Sequence, residues 1–315
     1  MGRRGLLWGA APVLLVFGTV WLWSLIPLAV KVADRSFSFG FIAFARLAMG
    51  TVVFGALELG AGRGIRIPRR LKGQTLRGPR WVGARAWVVI AGVGIGCDLL
   101  LYTLGLGYTT ASAATLIVST DGVILALLGV LVLRERMSWW KGMGAMVALV
   151  GLVLVGWNGQ DLSALVKSEY FLGNLIVLAA GCCWAVYGLG QRVLVEMPGA
   201  SLFPIFVVGT VLAGAAALGQ PVAHGPIQWP AVVAVLYLGL GGTGLAYILL
   251  AKGIAKLEAA TVGLIGSTLP LFTMGQAHLF LAEEITVYLA AGAALVMAGV
   301  ALVMRHQRVY GESGG

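Results

Sequence analysis

Hydropathy, run length and the placement of basic residues together predict an all-α polytopic membrane protein. The expected architecture is ten transmembrane helices in two inverted five-helix repeats, with both termini on the inner side. Of the 315 residues, 59% are hydrophobic and 11% charged, against roughly a quarter charged in soluble domains. The apolar runs repeatedly approach 20 residues, the length that crosses a hydrocarbon core of about 30 Å at about 1.5 Å per helical residue. They lack period-two alternation and are too long for barrel strands, so helices are the way to satisfy their backbone in lipid.

Ten spans follow, at residues 8–31, 37–59, 86–108, 111–133, 139–157, 171–194, 200–218, 230–251, 258–281 and 286–304. Gly, Pro and charged residues separate them: DRS at 34–36, a basic segment at 63–85, RERMS at 134–138, NGQD at 158–161 and GQPVAHGP at 219–226. The tightest connection is between spans three and four, near Tyr108 to Ala111. Merging those two would give a stretch far too long for one crossing.

Orientation comes from Lys and Arg. With both termini inside, eighteen of the 22 basic residues face the inner side, eight of them in segment 63–85; Lys31, Arg35 and Lys167 are external, and Arg46 lies within span two. That bias supports an even number of spans. It also accounts for the net charge of +10 through anionic headgroups, with no nucleic acid involved. Arg3 and Arg4 ahead of an apolar run mimic a signal peptide, but the stretch from Trp21 to Val30 recurs later, which assigns span one to the fold. Cys97, Cys182 and Cys183 all fall within spans; the vicinal pair points to different helix faces and lacks a metal-ligand spacing, so they are taken as packing residues and no metal site is expected.

The internal repeat is the most informative feature. A shift of 148 places Gly94 on Gly242, Gly105 on Gly253, Leu116-Ile117 on Leu264-Ile265, Ser119-Thr120 on Ser267-Thr268, Glu135 on Glu283, Gly144-Ala145 on Gly292-Ala293 and Gly151 on Gly299. A slightly different shift sets Gly18 and Trp21 on Gly181 and Trp184. Residues 1–157 therefore form a first five-helix repeat, 158–170 an external linker, 171–304 the second repeat and 305–315 an inner tail. An odd-spanning half that enters from inside leaves outside, so its copy is inverted. Inverted repeats are an architecture of alternating-access carriers, with the substrate near the midplane.

At this point the sequence resembles the ten-helix EamA-type members of the drug/metabolite transporter superfamily, and within them the amino-acid exporters of the YddG type. The resemblance covers the whole chain. It rests on the five-plus-five repeat, the Trp-rich first span GTVWLWSLIP, Phe44 to Arg46 in span two, the Gly-rich last span of each half (Gly144 to Val155, Gly292 to Val303), and the Glu in LRERMS and LAEEIT. It implies a cavity lined by spans one to four and six to nine, with spans five and ten packed outside. Spans five and ten are nearly free of polar groups and carry small residues at close-packing intervals.

Arg46, Asp98 and Asp121 all lie about 15 Å deep by residue count. A lone charge there costs at least ~2.5–3.5 kcal/mol on insertion scales, so such groups face a cavity or one another. Two roles stand open for Arg46: attracting a substrate carboxylate, or tying spans two, three and four through an aspartate. Asp98 or Asp121 would attract an ammonium group or a proton. The expected substrate-binding set is Trp21, Ser24, Arg46, Asp98, Tyr102, Ser119, Thr120, Asp121, Trp184, Tyr187, Tyr247 and Ser267, the aromatic members supplying an apolar wall together with Trp23. In the aspartate's place the second repeat has Leu269, so similar frames offer an asymmetric ligand asymmetric chemistry. Pro27, Pro204 and Pro270 remove backbone hydrogen bonds; Pro27 and Pro270, with their repeat mates Gly190 and Gly122, are the expected hinges.

The expected function is export of apolar or aromatic amino acids across a bacterial-type inner membrane by a monomer without cofactors. Export of organic cations, drugs or other small metabolites is the alternative. A membrane enzyme is the rival from another class, but no Ser–His pair and no acidic metal cluster is visible, and a nucleotide-binding loop is absent. A channel would call for a charged ring.

Overall fold

A computed structural model of the chain describes residues 3–62, 82–133, 139–157, 169–195, 197, 201–254, 265–266 and 268–305. Ser267, Glu135, most of the basic segment, nearly all of the linker and the tail beyond 305 lie outside these described residues.

Among the described residues, helices fall in each of the ten expected passages, and four of the passages are interrupted. Span one is α1 (Arg3–Ser24) followed by α2 (Ile26–Ala33). The interruption has a local cause: Pro27 sits in the first turn of α2, and with no N–H it cannot bond the Trp23 carbonyl. Span two is α3 (Phe39–Gly60), opened by Ser38, whose hydroxyl accepts from the Phe41 N–H. Span three is α4 (Ala84–Leu106). Span four begins where Thr110 accepts from the Ala113 N–H, and consists of α5 (Ala111–Val118) and α6 (Asp121–Leu133). Span five is α7 (Trp139–Trp157), span six α8 (Glu169–Val195) and span seven α9 (Phe203–Ala217).

Span eight runs as α10 (Trp229–Leu236), a π-helical stretch over Tyr237–Leu245, and α11 (Ala246–Ile254). The described part of span nine is centred on α12 (Leu269–Leu281), and span ten is α13 (Val287–Arg305). By length and hydropathy, six passages are sufficient to cross a membrane: Ala11–Ala33, Phe39–Gly60, Ala84–Leu106, Ala111–Leu133, Tyr170–Val195 and Trp229–Gly253. Gly142–Val155, Phe203–Ala217 and Val287–Leu302 are shorter apolar helices among the described residues.

Two expected breaks fall differently. Pro204 opens α9, in the first turn, where a missing N–H costs little, so it starts that helix instead of bending it. Gly190 lies in the uninterrupted α8. There a Cβ would come within 2.8 Å of the Ala91 Cβ, so this glycine serves the close approach of α8 to α4.

The packing separates into a dry pair and a polar centre. Spans five and ten, α7 and α13, lie against each other: a Cβ on Gly151 would sit 2.7 Å from the Val296 nitrogen and 2.8 Å from the Gly292 carbonyl. Backbones this close gain dispersion contact that no larger residue permits, and without a hydrophobic drive in lipid that contact is what holds helices together. Elsewhere α4 packs on α8 and α9, α3 on α9 and the π-helical stretch, α1 on α11, α5 on α12 and α6 on α8. At the end carrying Lys31, the turn after α2 meets the segment before α10: Phe37 pairs with Ala223, and Ser36 donates to the Pro226 carbonyl while accepting from the Gln228 N–H.

Candidate functional site

The centre is built around one buried arginine. Arg46, on α3, is 7% exposed, and its Nε donates to Thr243 Oγ1 at 3.0 Å. Thr243 in turn donates to the Leu238 carbonyl five residues back, the spacing of a π turn. The stretch YLGLGGTGL has four glycines and few side chains to hold it in register, and it takes its shape from neighbours. Trp23 donates its indole N–H to the Gly242 carbonyl at 3.1 Å, Tyr237 donates its hydroxyl to Leu22 and Thr19 donates to Ala246. Span one thus pins the distorted part of span eight, and the distortion aims Thr243 at Arg46.

Aromatic rings close around this point. Tyr247 packs edge-on against Trp23 at 5.6 Å, Phe206 at 5.5 Å and Phe54 at 6.2 Å between centroids. Trp184 packs edge-on against Tyr187 at 6.0 Å. The Tyr187 hydroxyl is fully buried and lacks a hydrogen-bond partner among the described residues, with Tyr247 and Gln191 as its neighbours. A buried donor left idle costs stability, and it is a polar group available to a ligand. The electrostatic neighbours of Arg46 are Tyr247, Asp98, Tyr102 and Tyr237. Asp98 lies on α4, is 7% exposed, and has Arg46 and Asp121 as its charged neighbours.

Of the two roles left open for Arg46, the tie through an aspartate has no hydrogen bond behind it among the described residues: Arg46 bonds across the molecule to span eight, with Asp98 as a charged neighbour. Asp121 opens α6. A helix start offers unpaired N–H groups and the positive end of the macrodipole, which is why a carboxylate is tolerated at this depth.

Other expected residues are placed differently. Ser119 donates to the Thr115 carbonyl and Thr120 to the Ile117 carbonyl, so both hydroxyl protons close off the end of α5. Trp21 is 51% exposed and rests edge-on against Phe272 at 5.6 Å, away from the Tyr247 group that its near neighbour Trp23 joins. Ser24 is buried at the break in span one. It accepts from Gln276 Nε2 at 3.0 Å and donates to Trp21, while Thr273 donates to the Ser24 carbonyl. The Gln276 side-chain carbonyl is buried without a donor among the described residues. Tyr102 neighbours Thr115 and Arg46. Gly122 follows the break in span four with open space at its Cβ, and Pro270 is in the first turn of α12. The cysteines are free, and no group of three metal-ligating side chains occurs among the described residues.

Thr243, Tyr237 and Gln276 were outside the expected set. Each is a polar side chain in an apolar span, which is a usable signal, but nothing in the sequence says which of several such residues meet.

Both halves of this architecture match a known family: residues 10–157 and 171–305 align with the EamA-like transporter family. The chain belongs to that family. The uncharacterized inner membrane transporter YhbE of Escherichia coli (strain K12) is 26% identical over 266 residues, covering 83% of this chain and 78% of the relative. An uncharacterized transporter of Archaeoglobus fulgidus is 27% identical over 230 residues, 70% of this chain and 77% of its own length. The uncharacterized transporter YyaM of Bacillus subtilis (strain 168) is 26% identical over 221 residues, 69% of this chain and 72% of its own. A crystal structure of a chain 21% identical superposes with a TM-score of 0.62 over 94% of this chain and 98% of that one, a likeness of fold. This EamA-like chain is an integral inner membrane protein. Its relatives are named as transporters without a substrate, so the match reaches the family and stops short of the amino-acid exporters.

Proposed function

We propose that this EamA-like chain is a secondary carrier that exports apolar or aromatic amino acids by alternating access, with the Arg46 region as its binding site. The observation that carries this reading is a guanidinium buried at mid-span. One of its nitrogens is held by Thr243, and Trp23, Tyr247, Trp184 and Tyr187 are grouped beside it. A planar cation suits a carboxylate, Asp98 nearby suits an ammonium group, and ring faces suit an apolar side chain. Leu269 in place of a second aspartate keeps the opposite frame apolar.

Alternating access is supported by the order of the packing. Exchanging the halves turns the α1–α11 contact into α4–α8, α3 with span eight into α9 with α4, and α6–α8 into α12–α1, while the pairings of spans five with ten, four with nine and two with seven return themselves. The same interaction recurs at the repeat-related breaks: Thr120 donates to Ile117, and Thr268 donates to Ile265. Two interchangeable halves are what a carrier with two mirror-related states requires. Carriage of organic cations is the second reading, favoured by Asp98 and Asp121 being electrostatic neighbours of each other.

The test is counterflow in proteoliposomes preloaded with amino acids, quaternary ammonium compounds or nucleotide sugars. Saturable exchange selective for apolar or aromatic amino acids is the expected result. Exchange with organic cations alone would replace it by the second reading, and exchange with neither would remove both.

A further inference from the structure

The end of the molecule that carries Lys31 holds a set of contacts that the binding site does not explain. At the C-terminus of α12, Ala282 adopts a left-handed conformation with φ 54°, and the chain turns back so that Glu283 reaches α5. Its Oε1 accepts from the Ala111 N–H at 2.7 Å, and its Oε2 accepts from the Ser112 N–H at 3.0 Å and the Ser112 hydroxyl at 2.8 Å. A carboxylate from span nine thus supplies the missing acceptors for the first turn of span four. Each bond is charge-assisted, and the helix dipole adds to it.

Lys31, at the end of span one, does the complementary thing. Its ammonium group donates to the Leu106 carbonyl at 3.2 Å and the Thr109 carbonyl at 2.8 Å, capping the C-terminus of α4. Lys31 and Glu283 are also electrostatic neighbours, and Asp34, itself a neighbour of His224, is a second acidic neighbour of Lys31 among the described residues. Ala111, Thr109 and Ser112 are all buried. One anion and one cation therefore bind the ends of spans one, three, four and nine together, and the Glu283 arm crosses from the second half to the first. Within a single half, an ordinary capping residue would serve each helix end equally well. Crossing between halves makes the caps dependent on how the halves are juxtaposed.

We propose that Glu283 and Lys31 form a latch that closes this face of the carrier and is released when the central site opens toward it. The proposal rests on the alternating-access reading above. Separating α12 from α5 and α2 from the α4–α5 turn removes all five hydrogen bonds, and water entering the opening would supply replacement partners only in the open state. Neutralising the carboxylate therefore weakens the closed state selectively.

The test uses the full-length chain in liposomes with its three cysteines replaced by alanine. Spin labels go on cysteines substituted at Tyr108 and Phe280, which are 50% and 71% exposed on either side of the latch. Glu283→Gln is expected to raise the ratio of long to short label distances by about tenfold, the scale of losing one charge-assisted bond, with the melting temperature little changed; Lys31→Met should shift it the same way. Glu283→Asp, which keeps the charge, should restore part of the short-distance population. A lower melting temperature with an unchanged distance distribution in both variants would reduce the pair to helix caps and overturn the latch. Because the distances need no substrate, a shift in a protein that exchanges no amino acid would keep the latch and reject the proposed substrate, whereas exchange without any shift would do the reverse.

Discussion

At residue 120 and again at residue 268 a threonine hydroxyl turns back on the carbonyl three residues earlier, and the helix ahead of it starts afresh. The two breaks differ in what comes next. After Thr120 the new helix opens with Asp121; after Thr268 it opens with Leu269 and Pro270, which has no N–H to offer. The same threonine hydrogen bond precedes both helix starts, and the first residue past it decides whether charge is presented there. On the proposed carrier reading, the scaffold repeats because packing requires it, and the site departs from the repeat because an asymmetric ligand does.

Seven substitutions, grouped in four tests, break or sharpen that comparison, the most damaging first. Gly151→Leu should abolish the folded protein, because its side chain would have to occupy space where even a Cβ meets the Val296 nitrogen at 2.7 Å; size-exclusion profiles in detergent report this, and a monodisperse, active variant would contradict the tight crossing of α7 and α13. Arg46→Ala should lower the counterflow rate by about a hundredfold or more while the protein still elutes as a single species, and Thr243→Val should cost less, about tenfold, in keeping with loss of a buried hydrogen bond to a charged group at ~1.5–3 kcal/mol. Equal losses from both would mean that Thr243 does more than hold Arg46.

Asp121→Leu makes the first break chemically like the second. It should leave the fold intact and reduce exchange about tenfold, whereas the reciprocal Leu269→Asp carries an insertion cost of ~2.5–3.5 kcal/mol and should lower expression. Unchanged exchange in Asp121→Leu would take the aspartate out of the site. The smallest effect separates the two tryptophans: Trp23→Phe loses the bond to Gly242 and should raise KM several-fold, by about 1 kcal/mol, whereas Trp21→Phe should remain within about twofold, as expected for a half-exposed ring.

Much of this was legible in the residues. Ten passages, the break at Thr110 and the Gly-lined packing of spans five and ten followed from hydropathy and small-residue spacing, because those signals are local and repeat every turn. Pro27 and Pro270 marked breaks because a missing N–H has the same consequence wherever the helix lies. Gly190 did not behave as its repeat mate Pro27 does, since a glycine can be selected for close approach as readily as for bending. The choice of Trp23 over Trp21 was not legible either: the two lie on nearly opposite faces of one helix, and which face meets Tyr247 depends on how α1 lies against span eight.

The sequence by itself determined the class of the protein and its helical passages, because the bilayer imposes length and polarity on each segment separately. Only the tertiary structure decided that Arg46 bonds to Thr243 instead of to an aspartate, that a π-helical stretch carries that threonine, and that Glu283 caps a helix 171 residues earlier in the chain. Those are pairings between distant segments. Their energy depends on which helix faces meet, and that is settled when all the passages pack together.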